Sequence, residues 1–171
     1  HLSIRRQRQM CIRDRSDHEV EVGRLMDYRF VRGDELEGHT FGNLLITTLS
    51  EVEGDMGQAT RVLNRLLNLS GAVWPVTSAS ATLAATKRDG LRIVGESQVR
   101  ETPGAIERLE LVPADVPALP EVVAAIRAAD LIVLGPGSLF TSVVAPLLVP
   151  EVATALTDGD APMVYVCNIM T

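Results

Sequence analysis

Apolar positions along this chain are spaced in three ways, and each spacing predicts a different element. From Asn43 onward, Leu44, Leu45, Leu49 and Val52 recur at helical intervals, and after the GDMG turn at 54–57 so do Ala59, Val62, Leu63, Leu66 and Leu67. Two helices are expected, about 43–52 and 56–68, with Asp55 capping the second. Between 82 and 113 the spacing shortens. Thr82, Ala84 and Thr86 interleave with Leu83 and Ala85, the pair Asp89–Gly90 marks a hairpin, LRIVGES at 91–97 is the returning strand, and IERLELVP at 106–113 is a further strand. The third pattern is a continuous apolar run, LIVL at 131–134, preceded by the helical stretch PEVVAAIRAAD at 120–130. A helix interrupted at Pro146 and Pro150 spans about 141–158, and MVYVCNI at 163–169 reads as a central strand. Residues 17–32 are mixed and charged, and the glycines at 33, 38 and 42 mark a loop.

From 120 to 168 the order is helix, strand, loop, helix, strand, the repeating unit of a doubly wound α/β sheet. The expected fold is therefore a three-layer α/β domain with a parallel or mostly parallel sheet, whose ligands sit beyond the carboxyl ends of the strands. Two segments fall at that edge: GPGS at 135–138 and NIMT at 168–171.

In the first of these, Gly135 and Gly137 permit close backbone approach, and Pro136 fixes the path between them. Ser138, Thr141 and Ser142 supply hydroxyls, and the helix that follows offers N–H groups to an anion. The loop suits a phosphate, a diphosphate or a sugar, or serves only as a sharp turn; with no Lys after it, it is not a P-loop. Asn168 either recognises an amide, base or hydroxyl or ties down loop backbone. In GDELEGHTFGN, His39 sits between glycines as a phosphate contact or proton-transfer group, while Asn43 is a ligand residue or the cap of the next helix. Arg29 and Arg32 are surface residues or phosphate contacts. Glu96 is read as structural, beside a glycine that bends the chain, and Cys167 as a small core residue.

Charge and composition narrow the picture. Aromatic residues make up only 4% of the 171, so stacking on single-stranded nucleic acid is not expected; the net charge of −6 points the same way. The two cysteines have no metal-ligand or disulfide framework around them, and no metal site is expected. No apolar run reaches the roughly 18–20 residues of a membrane span. Five arginines crowd the first fifteen residues, whereas residues 16–171 carry 11 basic and 21 acidic side chains. That change of sign marks 1–15 as a non-native or disordered basic segment, without a role for Cys11. The abrupt end in a strand makes 16–171 read as an internal fragment of one domain.

Several ordered stretches resemble one family: FVRGDELEGHTFGNLLI at 30–46, LSGAVWPVT at 69–77, GLRIVGES at 90–97, AIRAADLIVLGPGSLFTSVVAPLLV at 125–149 and VYVCNIMT at 164–171. It is the family of the YvcK-type gluconeogenesis factor and the CofD-type 2-phospho-L-lactate transferases, and GHTFGN and LFTSVVAPLLV place the chain nearer the first branch. The resemblance implies a Rossmann-like three-layer fold and a cytoplasmic, nucleotide-sugar-binding regulatory protein. Its ligand would be UDP-N-acetylglucosamine or similar, its effects on cell shape, wall synthesis and gluconeogenic growth, and its partners regulatory proteins. Binding would need no cofactor. The alternative it implies is a 2-phospho-L-lactate transferase-like enzyme of coenzyme F420 synthesis, which would use Mg2+. Carried onto this chain, the ligand residues would be His39, Gly42, Asn43, Gly135, Pro136, Gly137, Ser138, Thr141, Ser142 and Asn168. The GGGTG-type loop with which the family begins has no counterpart before residue 17. Oligomeric state is not legible.

Overall fold

The computed structural model describes residues 19–32, 36–67 and 71–168, with side chains from 21 onward. The basic segment 1–15 with Cys11, and Ile169–Thr171, lie outside the described residues. The chain forms two compact units, His1–Pro75 and Val76–Thr171.

The first unit is helical. Helices α1 (Glu19–Asp27), α2 (Phe41–Glu53) and α3 (Met56–Leu66) bury Met26, Ile46, Leu63 and Val73 in one cluster. The α2–α3 corner is made by two residues whose chemistry suits it. Gly54 ends α2 in the left-handed region at φ +85, and the Asp55 carboxylate accepts the Gln58 N–H at 2.9 Å. Helix α2 begins two residues earlier than its spacing predicts, because Thr40 is its cap: the Thr40 hydroxyl accepts the Asn43 N–H at 3.3 Å. Asn43 is therefore inside the helix and does not cap it. After α3, the Asn64 side chain holds both polar backbone groups of Val73, at 3.1 and 3.3 Å.

The second unit departs from the expected fold. Among the described residues, three of its five strands form an antiparallel sheet in the order β2–β1–β3, built from β1 (Thr82–Lys87), β2 (Arg92–Val94) and β3 (Ile106–Val112). Of these described strands only β4 (Ile132–Leu134) and β5 (Met163–Tyr165) pair in parallel, as a separate two-stranded ribbon. A single mostly parallel, Rossmann-like three-layer sheet is thus not what these residues make. The physical reason lies in the hairpin. The three-residue loop Arg88–Gly90 is too short to join any but antiparallel strands, and β3 then adds antiparallel to the other side of β1. Gly90 takes φ +85, its N–H bonding the Lys87 carbonyl at 2.9 Å, and the Leu91 N–H bonds the Asp89 carboxylate at 3.0 Å.

Strand β1 is enclosed on both faces, with Leu83, Ala84, Ala85 and Lys87 all buried. Lys87 is 1% exposed, and its Nζ donates to the carbonyls of Thr102, Pro103 and, at 3.2 Å, Gly104. Short helix α4 (Glu96–Glu101) sends Val99 into the cluster of Leu83 and Ala85. Helix α5 (Pro120–Arg127) packs on α7 (Pro150–Thr157) around Val116, Val149, Val152 and Leu156. Between β4 and α7 the chain forms a π-helical turn, Leu139–Val144, and the short helix α6, Ala145–Leu147. The interruption expected at Pro150 is present, as the helical run ends at Leu147 and restarts at Pro150; Pro146 does not break it and lies inside α6.

The ribbon differs from its expected setting. Its apolar run predicts strands covered on both faces, yet Val133 is 52%, Met163 53% and Val164 47% exposed, and Leu131, Tyr165 and Val166 are exposed beside them. Among these residues Ile132 alone packs into the α5–α7 cluster. Among the described residues no single helix is long and apolar enough to cross a membrane.

Candidate functional site

The sequence-derived candidates divide between the two units, and each group takes its geometry from its own unit. In the helical unit, an antiparallel bridge between Arg29 and Thr40 closes the 28–41 loop. Phe30 exchanges backbone hydrogen bonds with His39 and Gly38, each at 3.0 Å, and the Phe41 N–H reaches the Tyr28 carbonyl at 2.8 Å. The Arg29 guanidinium donates to the Gly38 carbonyl. Arg29 therefore braces the loop that presents His39. His39 itself is exposed, just before the buried cap Thr40 and the buried Gly42. Asn43 Oδ1 is buried without a hydrogen-bond partner. A surface hollow of about 500 Å3 on α1, lined by Glu21, Arg24, Leu25, Asp27 and Tyr28, contains none of the candidate residues.

In the sheet unit, pairing of β4 with β5 brings the loop after β4 against Val166, at the end of β5. The Val166 N–H extends the ribbon by bonding the Leu134 carbonyl at 2.9 Å. Gly135 then turns at φ +86, and a side chain there would put Cβ 2.6 Å from the Val166 carbonyl oxygen. Gly135 is thus required by close backbone approach, as its sequence context predicts, but the approaching group is β5. Pro136, linked to it by a cis peptide, and Gly137 lead to Ser138. The Ser138 carbonyl accepts the N–H groups of both Ser142 at 2.9 Å and Val143 at 3.1 Å, which starts the π-helical turn. Its hydroxyl caps nothing in that turn. Thr141 is buried and Ser142 half-buried. A π-helical turn directly after a glycine loop is a feature concentrated at functional sites.

Past the end of β5, Asn168 is half-buried and its carbonyl accepts the Cys167 thiol at 3.4 Å. Cys167 is exposed and not a core residue, because the end of β5 is uncovered. A hydrogen bond with Cys167 pushes the Tyr165 phenol above its usual range.

Glu96, directly after Gly95 at the end of β2, has both carboxylate oxygens buried without a hydrogen-bond partner. Burial raises its pKa. Among the described residues no three His, Cys, Asp or Glu side chains come together as a metal-holding group.

A family model described as 2-phospho-L-lactate transferase CofD matches residues 8–171. A gluconeogenesis-factor relative from Deinococcus radiodurans is 48% identical over 152 residues, 88% of this chain and 32% of that protein. The chain belongs to the CofD-related gluconeogenesis factor family. The gluconeogenesis factor of Bacillus subtilis is 40% identical over 156 residues, 91% of this chain and 49% of its own length. A crystal structure of a Bacillus halodurans protein matches with a TM-score of 0.89 at 37% identity, covering 96% of this chain and 53% of that one. The chain spans about a third to a half of the length of the gluconeogenesis factors it matches.

Proposed function

We infer that this member of the gluconeogenesis factor family binds a nucleotide sugar, UDP-N-acetylglucosamine or a close analogue, and acts by regulation and not by turnover. The observation that carries the reading is the loop at the end of the β4–β5 ribbon. There Gly135–Ser138 leads straight into a helical turn bearing Thr141 and Ser142, and Asn168 follows two residues after Val166, whose carbonyl Gly135 approaches. Hydroxyls, an amide and unbonded N–H groups at a helix start suit the neutral and anionic oxygens of such a ligand. His39, Gly42 and Asn43 are the candidate ligand residues of the helical unit. Binding requires no cofactor, the setting is the cytoplasm, and regulatory proteins read the liganded state to adjust cell shape and wall synthesis.

Calorimetric titration of UDP-N-acetylglucosamine into the protein expressed from its complete gene tests the reading. Binding is expected, and Ser138→Ala and Asn168→Ala should each weaken it about tenfold, the worth of one lost hydrogen bond. No heat at ~1 mM ligand, the weak end of specific affinity, sinks the reading. The transferase alternative has the family model's description in its favour. Magnesium-dependent release of nucleotide from an activated phospho-lactate donor would establish it instead.

A further inference from the structure

Among the described residues, Glu96 is the carboxylate with both oxygens buried and unpartnered, and the fold does not explain it. Neither oxygen meets a donor, although both are buried. Leaving an acceptor desolvated and unpaired costs stability, and native proteins keep such groups mainly where something else uses them. Two ordinary explanations fail. A glutamate in the first turn of a helix commonly bonds the free N–H groups there, but this one accepts none. The nearest helical cation, Arg100, is exposed and paired with Glu101 at 3.4 Å.

Its position shows where the carboxylate faces. Gly95, at φ +105, turns the chain out of β2, and its N–H is fixed to the Leu83 carbonyl at 2.7 Å. Glu96 therefore starts α4 at a set place. Val99, three residues on, shares its helix face. That face is buried against Leu83 and Ala85, in the cluster on which Ala145 and Leu148 also pack. Helix α4 touches the π-helical turn Leu139–Val144 itself. The orphan carboxylate thus stands at the start of a helix that meets the segment continuing from the glycine loop.

We propose that Glu96 reads the sugar of the ligand, its carboxylate accepting hydrogen bonds from the hydroxyl or amide N–H donors of the glycosyl group. The proposal rests on the nucleotide-sugar reading of the loop. The chemistry selects the sugar end, because an ionised carboxylate only accepts hydrogen bonds and repels a diphosphate, whereas a polyol presents several donors.

The test uses Glu96→Gln in the protein from its complete gene, titrated with UDP-N-acetylglucosamine and, separately, with UDP. Affinity for the UDP-sugar should fall about tenfold or more, the scale of a charge-assisted hydrogen bond, and affinity for UDP should hold. The melting midpoint without ligand should stay level or rise, since no partner in the fold is lost. Equal losses for UDP and UDP-sugar, or unchanged affinity for both, overturn the proposal. So does a midpoint lowered by about 4 °C or more, which would give the carboxylate a structural partner. A wild-type protein that binds neither compound sinks the reading of the loop and this proposal with it. Wild-type binding that Glu96→Gln leaves intact sinks only the role of Glu96.

Discussion

The sheet unit contains two ways of using strands. In the antiparallel sheet, β1 lies between two partners and is enclosed on both faces, with Ala84 and Ala85 fully buried. In the parallel ribbon, two strands of three residues each leave Val133, Met163 and Val164 about half exposed. The enclosed sheet holds the unit together. The open ribbon ends in the loops that carry the candidate ligand groups. The contrast teaches that a run of apolar residues reports the capacity for burial and not its completion. Beyond the ligand titrations, four results would break or sharpen it.

The largest effect belongs to the enclosed sheet. Leu83→Ala removes a buried side chain from the β1–α4 cluster and should cost about 3 kcal/mol, read as a cooperative loss in denaturant unfolding. A cost below ~1 kcal/mol would mean that this sheet is not the foundation of the unit. Next comes Gly135→Ala. The left-handed backbone and the Val166 carbonyl at 2.6 Å from the added Cβ should together cost about 2 kcal/mol. Hydrogen exchange should show the loss at Leu134–Val166 and leave β1 protected. Opening of both sheets together would erase the contrast.

A smaller effect is tied to pH. The folded-state pKa of Glu96 is raised above 4.5 by burial, so the folded protein holds this proton more tightly than the unfolded chain. The resulting contribution is fully present below the unfolded value and is lost as pH rises through the folded value. Between pH 4 and pH 7 the wild-type protein should therefore lose melting temperature relative to Glu96→Gln. A difference that is flat or of opposite sign would mean that a donor reaches the carboxylate. The smallest effect is expected on the ribbon: Val164→Thr, at a position 47% exposed, should change stability by less than ~0.5 kcal/mol. A cost several times larger would show that this face is covered in solution.

What was legible in the sequence follows the range of the forces involved. The Asp55 cap, the Asp89–Gly90 hairpin signal and the proline break at 150 act within a few residues, and each is where the spacing put it. The helix–strand–helix–strand order of 120–168 was legible for the same reason, and the parallel pairing of its strands follows from the helical connection between them. Helix α1 was not foreseen, because Gly23 and scattered charge weaken a stripe that Val22 and Met26 complete only against Ile46 and Leu63. The sheet was misjudged because pairing direction depends on which strand β3 joins, a choice made far along the chain. Gly135 was recognised as special, but the group it approaches, Val166, lies some thirty residues later. Nothing near Thr86 announces that Lys87 will be buried, since its carbonyl partners follow fifteen to seventeen residues on. That the Glu96 carboxylate lacks a donor was not legible for a related reason: an orphan is defined by partners that fail to arrive.

Lys87 is the only lysine among the 171 residues. Its nitrogen is spent on three carbonyls and almost fully shielded, so the folded protein offers no lysine amine to an acylating reagent. An activated ester would mark this side chain only in molecules whose 102–104 turn has let go. The mass of one acyl group on the Lys87 peptide would then count opening events of the antiparallel sheet, and a lysine-specific protease would cut only chains that had already opened there.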